Sequence, residues 1–320
     1  MAFPKRVVSL LPSATEIVFE LGQGERLMGV THECDYPEEA KGLPRVVRCA
    51  LKLDGLTPAE VDKEVSNALR EGREIYEIDM DLIEKIKPDL IITQQLCDVC
   101  SVSGNLAKKV SERVRDVEFL ELSPRSLGGI LKSIKDVADG LGVPDRGLEL
   151  CENMSKRIGS VQRVAMGIER KNVFFMEWID PVYCSGHWIP DMMQAAGCYD
   201  LLARPHQDSV RIPFEQVIEA APEIIFVGAC GLDAEQISRQ FSSLSWKGVD
   251  EIPAFVNDRV FAVNANAYFT RPGPRVAQGV ELLAYLAHGS PFTWRGEAGA
   301  FSKISLVAKA QYAGAYRVIP

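Results

Sequence analysis

Apolar residues fall along this chain in two patterns, short continuous runs and helical stripes. Residues 6–11 (Arg-Val-Val-Ser-Leu-Leu) read as a buried strand. Pro12-Ser13-Ala14-Thr15-Glu16 then opens a helix, with Ser13 the expected N-cap and Glu16 three places on. That helix carries Ile17, Val18 and Leu21 and stops at Gly22, and residues 27–31 follow as a second strand. Strand, turn, helix and strand in this order predict a parallel sheet. Val61, Val65, Ala68 and Leu69 mark a helix over residues 57–73, opened by Thr57-Pro58-Ala59-Glu60. Short elements are expected at 81–87 (helix), 90–93 (strand), 106–115 (helix) and 118–122 (strand). Together these form one α/β lobe over residues 1–123.

Residues 124–169 are helical in pattern throughout, broken only near Gly140-Leu141-Gly142-Val143-Pro144. The piece over 145–170 reads as one helix, roughly 36 Å long at 1.5 Å per residue. Strand–helix alternation then resumes at 172–177, 188–197, 214–221, 224–228, 234–242, 259–263 and 275–288. The chain is therefore expected to be an α/β protein of two parallel-sheet lobes joined by a single long connecting helix. The division is an N-terminal lobe over 1–123, a helical connector over 124–169 and a C-terminal lobe over 170–320.

An internal repeat supports two related lobes. Asp81-Leu82-Ile83-Glu84-Lys85-Ile86-Lys87-Pro88-Asp89-Leu90-Ile91-Ile92 keeps register with Glu215-Gln216-Val217-Ile218-Glu219-Ala220-Ala221-Pro222-Glu223-Ile224-Ile225-Phe226. Any short helix feeding a strand has some of this pattern. The matching register of acid, helix, proline, acid and strand is what favours a duplication.

Composition narrows the class. The 320 residues are 47% hydrophobic and 25% charged, as in globular domains, with a net charge of −8. The acidic balance argues against nucleic acid or a polybasic membrane contact as partner. No apolar run reaches the ~20 residues of a membrane span, so no membrane insertion is expected. The N-terminus shows no secretory signal, which predicts a cytoplasmic setting, or a periplasmic or extracellular one if an upstream segment was removed. Eight cysteines are too scattered for a compact disulfide framework.

The usual enzyme signatures are missing. Gly22-Gln23-Gly24 follows a helix and lacks a third glycine, His32-Glu33 lacks the second histidine of a zinc protease, and neither a Walker A sequence nor a GxSxG elbow is present. The candidate chemistry sits in loops after strands, which line the ligand crevice of open parallel sheets. These loops are Thr31-His32-Glu33-Cys34-Asp35-Tyr36-Pro37, Thr93–Cys100, Glu177-Trp178 with Ser185-Gly186-His187-Trp188, and residues 264–275. Two come from each lobe, so they are expected to face each other across a ligand cleft between lobes. Tyr36, Trp178, Trp188, Tyr268 and Phe269 then offer flat walls for a large, partly apolar small-molecule ligand. The two tryptophans read equally well as ordinary core aromatics.

Cys97-x-x-Cys100 is half a zinc site, which His32, Glu33 and Cys34 could complete; a redox dithiol or two buried thiols are the alternatives. In a parallel sheet both loops leave the same edge, so Cys34, Cys97 and Cys100 are expected to converge on a metal. His206 and His288 read as solvated or helix-terminal.

With these loops in view, the sequence resembles the cobalamin- and iron-chelate-binding proteins of bacterial ABC importers, nearest their cobalamin-binding branch. The resemblance rests on Arg6-Val7-Val8-Ser9-Leu10-Leu11-Pro12-Ser13-Ala14-Thr15-Glu16, Asp35-Tyr36-Pro37, Lys87-Pro88-Asp89-Leu90, and Tyr268-Phe269 with Arg271-Pro272-Gly273-Pro274-Arg275. It implies two lobes joined by a rigid helix and a non-enzymatic binding protein for cobalamin, another corrinoid or a related tetrapyrrole or metal-chelate ligand. It implies that Tyr36, Trp178, Tyr268 and Phe269 bind ligand, and His187, Trp188 and Arg271, in the same loops, are expected to bind it with them. It also implies that Asp81 and Glu215 dock onto an ABC permease. Residues 45–78 form an insertion where the family has a short loop. A zinc-binding or metal-handling protein using the cysteine loops, and an enzyme with reactive thiols on a binding-protein scaffold, are the alternatives.

Overall fold

A computed structural model describes residues 3–94, 110, 112–306 and 316–319. The chain divides into two compact units: Met1–Leu56 with Glu60–Met154, and Thr57–Ala59 with Ser155–Pro320.

The first unit is built on strands β1 (Val7–Ser9), β2 (Leu27–Thr31), β3 (Arg45–Cys49), β4 (Tyr76–Ile78), β5 (Leu90–Gln94) and β6 (Glu118–Leu122). They lie in the order β4-β3-β2-β1-β5-β6, parallel throughout except for the antiparallel β3–β4 pair. Among the described residues the helices are α1 (Pro12–Glu20), α2 (Pro58–Arg70, whose first two residues belong to the second unit), α3 (Met80–Ile86) and α4 (Leu127–Gly140), and the helix expected over 106–115 lies largely outside the described residues. Val8, Leu10, Val46, Ile83 and Ile91 close the core on one face of this sheet. The 45–78 insertion thus supplies two strands at the sheet edge, on either side of α2. An edge pair running antiparallel corrects the all-parallel expectation.

Ser13 is not the N-cap of α1. The helix begins one residue earlier at Pro12, Leu11 takes the extended cap position without a side-chain cap, and Ser13 is buried inside the first turn. Proline suits that position, because its fixed φ is helical and its missing N–H would have had no partner there.

The expected connector is two helices, α4 and α5 (Pro144–Ala165), parted where Gly142 turns the chain with φ +72°. At 22 residues α5 is about 33 Å long. It ends five residues before the expected 170, because Met166, Gly167 and Ile168 form a turn in which Gly167 N–H donates to Val164 O at 3.0 Å. The division between the two units falls inside α5, at Met154/Ser155.

The second unit holds β7 (Lys171–Met176), β8 (Cys198–Tyr199), β9 (Ile224–Val227), β10 (Val260–Val263), β11 (Phe301–Leu306) and β12 (Tyr316–Ile319) in the order β12-β11-β10-β9-β7-β8. β8, β7, β9 and β10 are parallel, and β11 and β12 are added antiparallel at one edge. Its helices are α6 (Ile189–Ala195), α7 (Phe214–Ala220), α8 (Ala234–Ser242), α9 (Pro253–Val256), α10 (Ala265–Tyr268) and α11 (Val276–His288). Phe174, Met176, Ile225, Val227, Phe241 and Ala262 are fully buried in one core cluster.

The repeat holds at atomic detail. α3 and α7 have seven residues each and end on left-handed C-caps, Lys87 (φ +49°) and Ala221 (φ +45°). Pro88 and Pro222 follow, and then strands β5 and β9, which pair in the same register with β1 (Val7 with Leu90) and β7 (Val173 with Ile224).

Candidate ligand-binding site

In the first unit β1, β2, β5 and β6 are parallel, so the described loops, those after β1, β2 and β6, leave one edge of the sheet. The loop after β2 is fixed from below by Arg45, whose guanidinium donates to Thr31 O at 2.9 Å and Cys34 O at 3.0 Å. The Cys34 side chain is buried, with its sulfur 3.1 Å from Thr15 Oγ1 and 3.3 Å from Thr31 Oγ1. His32 is exposed, with Nε2 3.5 Å from Glu33 and its ring 6.3 Å from that of Tyr76. Tyr36 is half-buried.

This arrangement does not bear out the metal expectation. The Cys34 thiol is engaged with two threonine hydroxyls, His32 stands outside with Glu33, and no three His, Cys, Asp or Glu side chains among the described residues could share an ion. Cys97 and Cys100 lie outside the described residues. Burial pushes the thiols of Cys151 and Cys184 up, and that of Cys198 to about 12, which disfavours reactivity at these three.

In the second unit the loops after β7 and β10 carry the aromatic residues. Trp178 is half-buried, and its indole N–H donates to Asp180 O (3.1 Å) and Pro58 O (3.2 Å). His187 sits in a left-handed conformation (φ +50°), with Nε2 2.9 Å from Asp208 Oδ1 and its ring 5.6 Å from that of Trp188. Trp188 is buried and donates from Nε1 to Phe269 O at 2.7 Å. Phe269 is fully buried against Phe175, with ring centroids 5.3 Å apart. Tyr268 is 3% exposed and meets the Trp294 ring edge-on, and Arg271 is buried as well. The structure therefore gathers Trp188, Tyr268 and Phe269 into one packed group, while Tyr36, Trp178 and His187 keep exposed surface. A turn-forming helix, α10, places Tyr268 and Phe269; Asn264 caps it by accepting from Ala267 N–H at 3.0 Å.

Two carboxylates escape the sequence reading. Glu177, at the end of β7, accepts from Gly186 N–H (2.8 Å) and from Ser209 Oγ (2.6 Å). Asp200, after β8, accepts from Phe175 N–H (3.1 Å), Leu202 N–H (2.8 Å) and Ser185 Oγ (3.3 Å). Each residue keeps some surface, yet desolvation of the carboxyl group pushes Glu177 up to about 7 and Asp200 to about 6. The signal was an acid placed directly after the buried run Val173-Phe174-Phe175-Met176.

Two mainly parallel sheets with helices, and loops leaving the C-terminal ends of their strands, are the architecture of a two-lobe binding protein. Residues 7–267 match the family described as periplasmic binding protein, and the chain belongs to that family. It is 27% identical over 287 residues to a Bacillus subtilis ABC transporter substrate-binding lipoprotein, covering 88% of this chain and 79% of that protein. It is 24% identical over 286 residues to the vitamin B12-binding protein of Vibrio cholerae, covering 88% of each. A periplasmic heme-binding protein from Pseudomonas aeruginosa superposes with a TM-score of 0.69 at 18% identity, over 93% of this chain and 97% of that one, and shares the fold.

Proposed function

We propose that this protein binds a corrinoid, or a closely related tetrapyrrole or metal chelate, and presents it to an ABC permease outside the cytoplasmic membrane. The observation that carries this reading is the likeness to a vitamin B12-binding protein over 88% of each chain, with a heme-binding protein on the same fold. Tyr36, Trp178 and His187 supply the ligand-facing surface, since they keep exposed faces on loops at strand C-terminal ends. In the second unit Trp188, Tyr268, Phe269 and Arg271 are buried support, Trp188 with its ring beside that of His187. Asp81 and Glu215 are the docking acids: each stands in the first turn of one of the two repeated helices and is exposed, Asp81 with Arg113 3.5 Å away. The relatives are named as binding proteins, which favours this reading over the enzyme alternative.

Titration of the purified protein with cyanocobalamin and with haemin, followed by visible absorbance and calorimetry, tests the reading. Saturable one-site binding of either supports it and identifies the ligand class. Absence of saturation with both overturns it.

A further inference from the structure

Ser185, Gly186 and His187 are consecutive, and a different group holds each. Asp200 takes the Ser185 hydroxyl (3.3 Å), Glu177 takes Gly186 N–H (2.8 Å), and Gln207 O takes His187 N–H (2.7 Å). Return bonds close the turn: Arg204 N–H donates to Ser185 O (2.8 Å) and His206 N–H to His187 O (3.0 Å). Gly186 has no space for a side chain, since a Cβ would stand 2.6 Å from both Gln207 O and Ser209 N. Glu177 reaches both strands of this clasp, because its second oxygen takes the Ser209 hydroxyl (2.6 Å). His187 is left in a left-handed backbone that its own side chain does not favour, so the surrounding bonds must impose it.

We propose that Glu177 is the positioning residue of the turn that carries His187 and Trp188, seconded by Asp200, and that a proton on this pair tightens the turn. That the turn faces ligand rests on the proposed function; that Glu177 holds it does not.

The direction follows from the surroundings. The charged groups around the pair are each other, Arg204, and the His187–Asp208 pair, with Arg211 beyond. Arg204 donates to Gln207 Oε1 (2.7 Å) and Arg211 to Tyr183 Oη (2.9 Å). No cation pairs with either carboxylate among the described residues. The Cys184 thiol beside them is buried and held neutral. Ionised, the two groups place uncompensated charge in a desolvated space and repel one another. Opening the turn to water relieves both costs. Protonated, Glu177 keeps an oxygen for Gly186 N–H and can donate to Ser209 Oγ, so the clasp survives without buried charge. The closed turn therefore binds protons more tightly than the open one. By linkage it loosens as pH rises through the range from about 4.5, the ordinary glutamate value, to about 7, and changes little above that.

The test is backbone amide exchange of the full-length, ligand-free protein from pH 5 to pH 8.5, corrected for the intrinsic exchange rate. In the wild type, protection of the Gly186 and His187 amides should fall tenfold or more between pH 5 and pH 7.5. Glu177→Gln should leave only the fall below about pH 6 that belongs to Asp200, and Glu177→Gln with Asp200→Asn should hold a pH-independent protection, because the amide oxygens still accept and carry no charge. Ser209→Ala, a milder change that keeps the ionisable group, should retain the profile with lower protection. A flat wild-type profile overturns the proposal. So does a profile of the double variant that still falls with pH, since the His187–Asp208 pair would then be its source. Binding of cyanocobalamin or haemin is measured separately, so failure of the ligand reading leaves the amide result standing.

Discussion

The Asp89 carboxylate accepts a hydrogen bond from Arg6 N–H at 2.9 Å, while Asp89 N–H donates back to Arg6 O at 3.0 Å. In the second unit Glu223 and Asn172 exchange the same pair of bonds, at 3.0 and 2.9 Å. Each acid stands just after the proline that ends a repeated helix, and it secures the start of the first strand of its sheet. Lys5 N–H and Lys171 Nζ add a further bond to each. The acid following proline is thus a structural clamp, whereas the exposed acid in the helix's first turn makes no such bond to a strand.

Removing the clamp should cost stability in both units. Asp89→Ala and Glu223→Ala should each destabilise by about 1–3 kcal/mol, the range for hydrogen bonds to a charged acceptor. Urea denaturation at neutral pH measures it. Losses under about 0.5 kcal/mol in both variants would mean that water replaces the carboxylate at no penalty.

Ala221 holds a left-handed conformation at φ +45° where glycine would be at ease. Ala221→Gly removes a strain of about 1–2 kcal/mol and returns part of it through the greater freedom of the unfolded chain. We expect a net gain of about 0.5–1 kcal/mol, seen as a rise in Tm of a few degrees. A lower Tm would show that the cap is unstrained.

Global stability should depend on pH with a definite sign. Glu177 and Asp200 have folded values raised to about 7 and about 6. Their contribution is fully present below the unfolded carboxylate range, near pH 4, and is lost as pH rises through about 6 to 7. Glu177→Gln should therefore be more stable than the wild type at pH 8, and the advantage should vanish near pH 5. An unchanged difference across that range would contradict the burial argument.

Gly186→Ala places a methyl group 2.6 Å from two backbone atoms, Gln207 O and Ser209 N, which cannot rotate away. Overpacking of this kind costs about 1–3 kcal/mol. The substitution should lower Tm and weaken ligand binding together.

Burial separates the aromatic residues into two classes with opposite signatures. Tyr36→Ala and Trp178→Ala should weaken cyanocobalamin or haemin binding by about 1–3 kcal/mol with a smaller effect on folding. Phe269 is fully buried against Phe175, so Phe269→Ala should cost about 3–5 kcal/mol of stability instead. Paired calorimetry and denaturation decide it; equal losses of affinity and equal stabilities in all three would erase the distinction.

Much of this protein is local and so was legible in the chain. The strands Leu27–Thr31 and Leu90–Gln94 stand where the apolar runs predict them, because a continuous buried strand needs only its own residues to announce itself. The duplication was legible too, since register survives in the spacing of acid, proline and strand. Strands β3, β4, β11 and β12 were not foreseen: an edge strand such as Tyr76–Ile78 is short and partly exposed, and only its neighbour's hydrogen bonds make it a strand. The candidate site divides the same way. Sequence named the loops and their aromatic residues, for loops follow strands. Which ring is a surface and which is core depends on partners far along the chain, as Trp188 depends on Phe269 and Phe269 on Phe175. The Glu177–Gly186–Ser209 and Asp200–Ser185 bonds are likewise long-range contacts between residues that no spacing connects. Desolvation, which sets the charge of those two acids, is a property of the packed surroundings and exists only once the chain has folded.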